Sequence, residues 1–266
     1  MLIDYHVHTY LCKHAEGDPA DYVIAARNAG LFEIGFADHC PFPEGYDPKY
    51  RMKASEIGIY RKIVKNLQTA NQKIVIRYGI EADWVPGKMD KVFSYLQEED
   101  FDYVLGSVHY IEDFPFDSPD IQHLWKEGEF TDKIWEKYFS LVTNMIKSGK
   151  FDILSHFDLP KKFGFRHSNR KQVLGMCEDI FKLAGQKGMA LELNSSGLRK
   201  PVKEAYPALD ILKIARENRV RLVFGSDAHK PEEVSANFGE LKELANLAGY
   251  KHVCSFSKRK AMEHSI

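Results

Sequence analysis

The chain has 266 residues, of which 44% are hydrophobic, so it is long enough to form one large α/β domain with a substantial core. Its formal net charge of −1 gives no general electrostatic reason to expect nucleic acid or an anionic membrane as a partner. No apolar run reaches membrane-spanning length and no signal peptide is evident, so we expect a cytoplasmic protein. The four cysteines form no CxxC motif, and we expect small buried thiols rather than a disulfide framework: Cys12, Cys40, Cys177 and Cys254.

A pair of histidines stands in the first predicted strand, residues 3–9. Side chains at positions i and i+2 of a strand point in the same direction, so His6 and His8 should project together. Two neutral imidazoles held side by side can bind one metal ion. Further ligands must then come from elements later in the chain.

Strand-like and helix-like segments alternate along the rest of the sequence. The predicted strands cover residues 3–9, 33–39, 73–83, 102–109, 151–156, 189–194 and 221–226. The predicted helices cover residues 18–30, 55–71, 89–97, 131–147, 168–186 and 207–218. Asp18 and Ser168 are expected as N-caps, residues 40–50 and 110–128 as loops, and a further helix and a short strand–helix segment at the C-terminus.

This alternation predicts parallel strands joined by crossover helices. Polar residues recur at the C-terminal end of nearly every predicted strand. A barrel brings all these ends to one rim, whereas an open sheet gathers ligands at one switch point. The pattern therefore favours a barrel.

The polar residues at the strand ends are histidines and carboxylates, which are metal ligands. They are His6, His8, His39, Glu81, His109, His156, Asp227 and His229, and the first loop adds His14. Nine ligands exceed the needs of one ion and suit two or three divalent ions. The nitrogen-rich set favours zinc, iron or manganese over magnesium or calcium.

These residues also resemble the motif series of the polymerase and histidinol phosphatase (PHP) family, over the whole chain. The resemblance implies one domain, residues 1–266, folded as a distorted TIM-like (β/α)7 barrel with a metal site at its C-terminal rim. It implies a first ion on His6, His8, Glu81 and Asp227, and a second that shares Glu81 with His109 and His156. The third ion would lie on His14, His39 and His229.

Within that family, the length and layout resemble the histidinol-phosphate phosphatases, through segments such as Ser155-His156-Phe157-Asp158. The resemblance implies hydrolysis of a small phosphomonoester, L-histidinol phosphate, in histidine biosynthesis. We expect direct attack of water, with Asp227, His229 or a bound water as the proton donor to the leaving group. The oligomeric state is left open.

Substrate-binding residues are predicted from charge and position. Arg166 and Arg199 follow the fifth and sixth strands, and arginine binds phosphate through two parallel hydrogen bonds. Lys161 and Lys162 are expected to be solvated. The carboxylates considered for the amine and imidazole of the substrate are Asp38, Asp83 and Glu112.

Three alternatives remain open at this stage. The first is a PHP-type phosphoesterase acting on another small phosphomonoester or on a nucleotide. The second is a metal-binding scaffold without turnover. The third is an amidohydrolase on an eight-stranded barrel, which can also begin with a His-x-His pair.

Overall fold

Seven parallel strands, hydrogen-bonded in chain order, form the centre of the computed structural model, which describes residues 2–42, 46–71 and 73–266. They are β1 (Ile3–Val7), β2 (Glu33–Phe36), β3 (Val75–Asp83), β4 (Tyr103–Ser107), β5 (Ile153–Leu154), β6 (Ala190–Asn194) and β7 (Arg221–Gly225). A parallel bridge joins Val7 to Ala228, and the His8 N–H donates to the Ala228 carbonyl at 3.0 Å. The first strand therefore meets the last at the C-terminal end, which nearly closes the barrel.

One helix follows each of the seven strands. They are α1 (Pro19–Asn28), α2 (Ile57–Ala70), α3 (Met89–Glu98), α4 (Glu129–Ser148), α5 (Arg170–Gln186), α6 (Leu209–Glu217) and α7 (Phe238–Leu247). Asp18 caps α1 as predicted, since its carboxylate accepts from the Ala20 N–H at 2.8 Å. The prediction of a distorted (β/α)7 barrel is confirmed. No helix within the ranges given above is long and apolar enough to cross a membrane.

Aromatic side chains fill the barrel interior. Tyr5 and Tyr103 stack with their ring centroids 4.6 Å apart. A Cβ atom at Gly35 or Gly79 would overlap the Tyr103 ring, so these two positions need glycine for lack of space. The barrel is thus a packed core and not a pore, as is usual for this architecture.

The predicted C-terminal strand–helix segment is wrong. The chain instead ends in an antiparallel hairpin of β8 (His252–Ser257) and β9 (Lys260–Ser265). The Phe256 N–H donates to the Tyr5 hydroxyl at 2.8 Å, and the Lys258 N–H to Asp102, just before β4, at 3.1 Å. The hairpin therefore covers the N-terminal end of the barrel and leaves the opposite rim open.

Three smaller predictions also need correction. Asn169, not Ser168, caps α5: its side-chain oxygen accepts from the Gln172 N–H at 3.1 Å, while the Ser168 N–H donates to Asp132. The fifth strand is only two residues long. The loop at 110–128 contains a short 3-10 helix, Pro119–Leu124, and positions 43–45 of the loop at 40–50 lie outside the described residues.

Candidate metal centre

Glu81 is the centre of the ligand cluster at the C-terminal rim. It lies near the end of β3 and is buried, and its Oε2 lies 2.9 Å from His39 Nδ1 and 3.3 Å from His6 Nε2. Its Oε1 lies 3.1 Å from His156 Nε2, which is 3.3 Å from His109 Nε2. One carboxylate thus contacts histidines from several different strands, as a bridging ligand must.

Asp227 organises the other side of the cluster. Its Oδ1 lies 3.2 Å from His8 Nε2, and the ring of His229 stacks 4.1 Å from that of His8. His14, from the first loop, lies 4.4 Å from His229 between ring centroids. Asp227 has a φ of 53°, a left-handed conformation that non-glycine residues adopt rarely and often at functional sites. The structure thus brings all nine predicted ligand side chains to one rim.

Several buried polar atoms of these ligands have no hydrogen bond within the described part of the chain. They are Nε2 of His6, both ring nitrogens of His8, Nδ1 of His39, Nδ1 of His156, Oε2 of Glu81 and Nε2 of His229. Buried polar atoms are normally hydrogen-bonded, so such a cluster needs an explanation. Within each of several three-residue sets, the ligand atoms lie within 4.8 Å of one another, so each set can share an ion. These sets include His6–His8–Glu81, His39–Glu81–His109 and His14–His39–His229. The donor set fits divalent cations of the zinc, iron and manganese type.

The electrostatics of the cluster keep its carboxylates charged. Burial opposes ionisation of Glu81 and Asp227, but neighbouring imidazoles hold both pKa values well below their usual range: His39 and His6 act on Glu81, and His6 and His8 on Asp227. Burial lowers the pKa of His39 to about 4, which favours the neutral imidazole that binds metals. The site therefore presents two ionised carboxylates, with a neutral His39 imidazole beside Glu81.

Asp83 binds one of the ligand histidines and so supports the cluster. The sequence analysis considered it instead as a partner of the substrate. Its carboxylate is fully buried, with Oδ1 2.5 Å from His109 Nδ1, and accepts from the Arg51 guanidinium at 2.6 Å. Burial disfavours the charged imidazole, yet Asp83 raises the pKa of His109 to about 10. The sequence analysis did not identify Arg51 as a partner of Asp83, because no sequence feature distinguishes it from other arginines in loops.

Glu192 was also missed, although it lies among the ligands. It is fully buried in β6, with Oε1 2.7 Å from His6 Nδ1, and Oε2 accepts from the His156 N–H at 2.8 Å. A glutamate in the middle of the apolar strand Ala190–Asn194 was the available signal. A charged residue in a buried strand is rare without a partner.

The predicted substrate residues lie in different surroundings. Arg199 donates to the Ser226 carbonyl at 2.6 Å, beside Asp227, whereas Arg166 is half exposed and donates to Glu204 at 2.9 Å. Glu112 is exposed and accepts from Lys137. Asp38 is fully buried and accepts from the Thr9 and His39 N–H groups at 3.2 and 2.8 Å.

A cavity of about 590 Å³ opens above the ligand cluster. Its wall includes Tyr50, Tyr110, Asp117, Lys162, Lys200 and Tyr206, while Arg166, Arg199, Glu112 and Asp38 are not among its lining residues. The Tyr206 hydroxyl is buried and has no hydrogen bond to any described residue. The volume fits a small molecule.

The expectation that Lys161 and Lys162 are solvated is wrong. Lys161 is fully buried and its ammonium donates to Asp158, Glu204 and the Ala205 carbonyl. Lys162 is 14% exposed in the cavity wall, and it donates to Asp117 at 3.0 Å. Sequence position alone could not show that the turn after β5 folds inward.

Comparison with known proteins agrees with this geometry. The PHP domain family matches residues 4–196. A protein of Deinococcus radiodurans named "Probable histidinol-phosphatase" is 40% identical over 253 residues, which span 93% of this chain and 94% of that protein. The histidinol-phosphatase of Bacillus subtilis is 26% identical over 253 residues, covering 87% and 94% of the two chains.

The fold has a solved counterpart. The histidinol phosphate phosphatase of Lactococcus lactis, complexed with zinc, L-histidinol and phosphate, matches with a TM-score of 0.82 and 21% identity, over 98% of each chain. At this identity the likeness establishes the barrel architecture.

Proposed function

The chain belongs to the PHP family, and from this premise we propose that it is a metal-dependent phosphatase that hydrolyses L-histidinol phosphate to L-histidinol and phosphate. The observation that carries the proposal is the cluster of nine ligand side chains on the floor of a cavity of small-molecule size. The 40% identical relative supports the choice of substrate, since the match spans nearly the whole of both chains.

We assign the ligands to two or three divalent ions, with zinc, iron or manganese as the candidates. His6, His8, Glu81 and Asp227 would hold one ion, and Glu81 would share a second with His109 and His156. His14, His39 and His229 would hold the third. When bound, such ions lower the pKa of water and neutralise the charge on phosphate oxygens.

The chain's own groups would bind and orient the phosphate. Arg199 donates to the carbonyl of Ser226, the residue before Asp227, so we place it next to the cluster. Lys200 and the free hydroxyl of Tyr206 line the cavity and can donate to phosphate oxygens. Arg166 is half exposed, donates to Glu204 and is not among the lining residues, so we expect it to matter less than Arg199.

The leaving group would occupy the outer part of the cavity. Asp117 and Asp120 line it and suit the amine and imidazole better than Glu112, which binds Lys137. The rings of Tyr50 and Tyr110 offer flat apolar surfaces for an imidazole. Asp227 and His229 also line the cavity, and either would take the proton released by the attacking water and pass it to the departing oxygen.

A panel of phosphoesters tests the proposal. We expect kcat/KM on L-histidinol phosphate to exceed that on p-nitrophenyl phosphate, AMP and a phosphodiester by orders of magnitude. A higher value on another monoester or a nucleotide would transfer the assignment to the alternative, a PHP-type phosphoesterase of different specificity. If the protein binds metal but hydrolyses none of the esters, the result would favour the alternative of a metal-binding scaffold without turnover.

Two other expectations stay predictions. The four cysteines are free and buried, which is compatible with the cytoplasmic residence that we propose. Hydrogen bonds from the hairpin to Tyr5 and Asp102 support residues 1–266 as one domain.

A further inference from the structure

We infer that Glu192 is a positioning residue of the metal centre, which holds His6 and the peptide of His156 where a cation needs them. The inference rests on the metal-dependent activity proposed above, but it concerns residues behind the ligands. Glu192 contacts neither the cavity nor the substrate, since it is fully buried and is not among the lining residues.

The contact with His6 selects one ring nitrogen for the metal. Oε1 of Glu192 lies 2.7 Å from Nδ1, so a proton on Nδ1 is donated to the carboxylate. Nε2 then keeps its lone pair for the metal. It has no hydrogen bond to any residue that the structure describes, and it lies 3.3 Å from Glu81 Oε2 and 3.7 Å from Asp227 Oδ1. A carboxylate behind a histidine ligand commonly fixes the tautomer and the ring orientation in this way.

The second oxygen holds another ligand through its backbone. β5 ends at Leu154, so the N–H of His156 lies beyond the strand and donates instead to Glu192 Oε2 at 2.8 Å. A single side chain on β6 therefore connects ligands from the first and fifth strands. These two strands are not neighbours in the barrel.

Gly225 provides the space for this arrangement. It lies in β7, beside β6, and a Cβ atom there would overlap Oε1 of Glu192 and lie 2.9 Å from Cβ of His6. The carboxylate cannot move aside without breaking one of its two hydrogen bonds. Glycine is needed here for space, and its φ is not in the left-handed region.

Glu192→Gln is the first test, because the amide has nearly the same shape but only one acceptor oxygen. If that oxygen faces His156, the amide NH2 faces Nδ1 of His6 and forces the ring proton onto Nε2, the metal-binding atom. If the amide oxygen faces His6 instead, the NH2 group faces the His156 N–H, and two donors meet without an acceptor. We expect the dissociation constant for Zn²⁺, measured by chelator competition on metal-stripped protein, to rise about 10–100-fold.

The matched control is Glu33→Gln. Glu33 is a buried strand glutamate that binds Arg77 and the Tyr5 hydroxyl in the barrel interior, away from the ligand cluster. It should change stability but leave the affinity for Zn²⁺ as in wild type. Unchanged zinc affinity in a folded Glu192→Gln protein would overturn the inference, as would an equal loss in the control.

A second variant distinguishes loss of the Glu192 contacts from misfolding of the Glu192→Gln protein. Gly225→Ala should weaken zinc binding with Glu192 still present, whereas Gly175→Ala, in open space on α5, should not. Nitrogen-15 NMR of the zinc-loaded protein should show a His6 ring that is protonated on Nδ1 and bound through Nε2 in wild type, and its loss in both site variants. Zinc bound through Nδ1, with the proton on Nε2, would contradict the inference even if no variant could be purified.

These measurements do not depend on the substrate. Wild-type protein that binds Zn²⁺ but does not hydrolyse L-histidinol phosphate would refute the proposed function and leave the role of Glu192 standing.

Discussion

The buried lysine after β5 leads to a prediction that can be worked out in numbers. The ammonium of Lys161 lies 2.8 Å from Asp158, 2.8 Å from Glu204 and 2.7 Å from the Ala205 carbonyl, so all three of its N–H bonds are used. Lys161→Met keeps most of the stem and removes the charge. Asp158 is fully buried and, among the described residues, would keep only the Ala208 N–H, at 3.0 Å, as a donor.

Breaking a buried ion pair from one side costs about 3–5 kcal/mol, because the remaining charge has no counterpart. Glu204 is 36% exposed, so water can solvate it and we assign the loss to Asp158. An unfolding entropy of about 2.1 cal/mol/K per residue makes each kcal/mol worth about 2 °C in a chain of 266 residues. We therefore expect the melting temperature of metal-loaded protein to fall by about 5–10 °C.

Thermal unfolding followed by circular dichroism or calorimetry measures this fall. The double variant Lys161→Met with Asp158→Asn should recover a large part of the lost melting temperature, since the unpaired buried charge of Asp158 is then removed. Lys133→Met, which removes an exposed lysine paired with Glu129, serves as the control and should melt like wild type. Strict additivity in the double variant, or an unchanged melting temperature in Lys161→Met, would refute the reasoning.

Three further predictions concern the active site. Asp227→Asn should abolish hydrolysis and reduce bound metal, measured by elemental analysis, and substantial residual turnover would contradict the metal assignment. Tyr206→Phe should raise KM on every phosphomonoester by a similar factor if its free hydroxyl donates to phosphate, with Tyr250→Phe, on the far side of the barrel, as control. Arg199→Ala should lower kcat/KM far more than Arg166→Ala, which removes an exposed pair with Glu204; equal losses would restore the equal roles expected from the sequence, and the reverse order would contradict this ranking.

The barrel and the ligand cluster could be predicted because both depend on local patterns. Apolar runs ending in histidine or carboxylate define parallel strands whose ends must meet at one rim. Glu81, near the end of β3, and His156, just beyond β5, are examples. What the pattern could not give is the direction in which a loop side chain points, and so Arg166 and Arg199 looked equivalent.

The errors have identifiable physical causes. The final hairpin turns through Lys258 and Arg259, both with positive φ (48° and 66°), where a two-residue turn normally carries Asn-Gly. Without that signal the sequence did not indicate a hairpin. Ser168 and Asn169 are adjacent and both can cap a helix, so only the tertiary bond from Ser168 to Asp132 decides between them.

Strands supply most of the metal ligands and loops supply the outer cavity wall, and this difference bears on substrate choice within the family. Eight of the nine ligand side chains come from strands or their immediate ends, where hydrogen bonds such as those that Glu192 and Asp83 accept hold them in place. The outer cavity wall comes instead from loops, through residues such as Asp117, Lys162 and Lys200. Loops accept sequence change at little cost to the core. Substrate preference can therefore change through this wall while the metal-binding floor stays the same, so loop residues should control the ranking of phosphomonoesters.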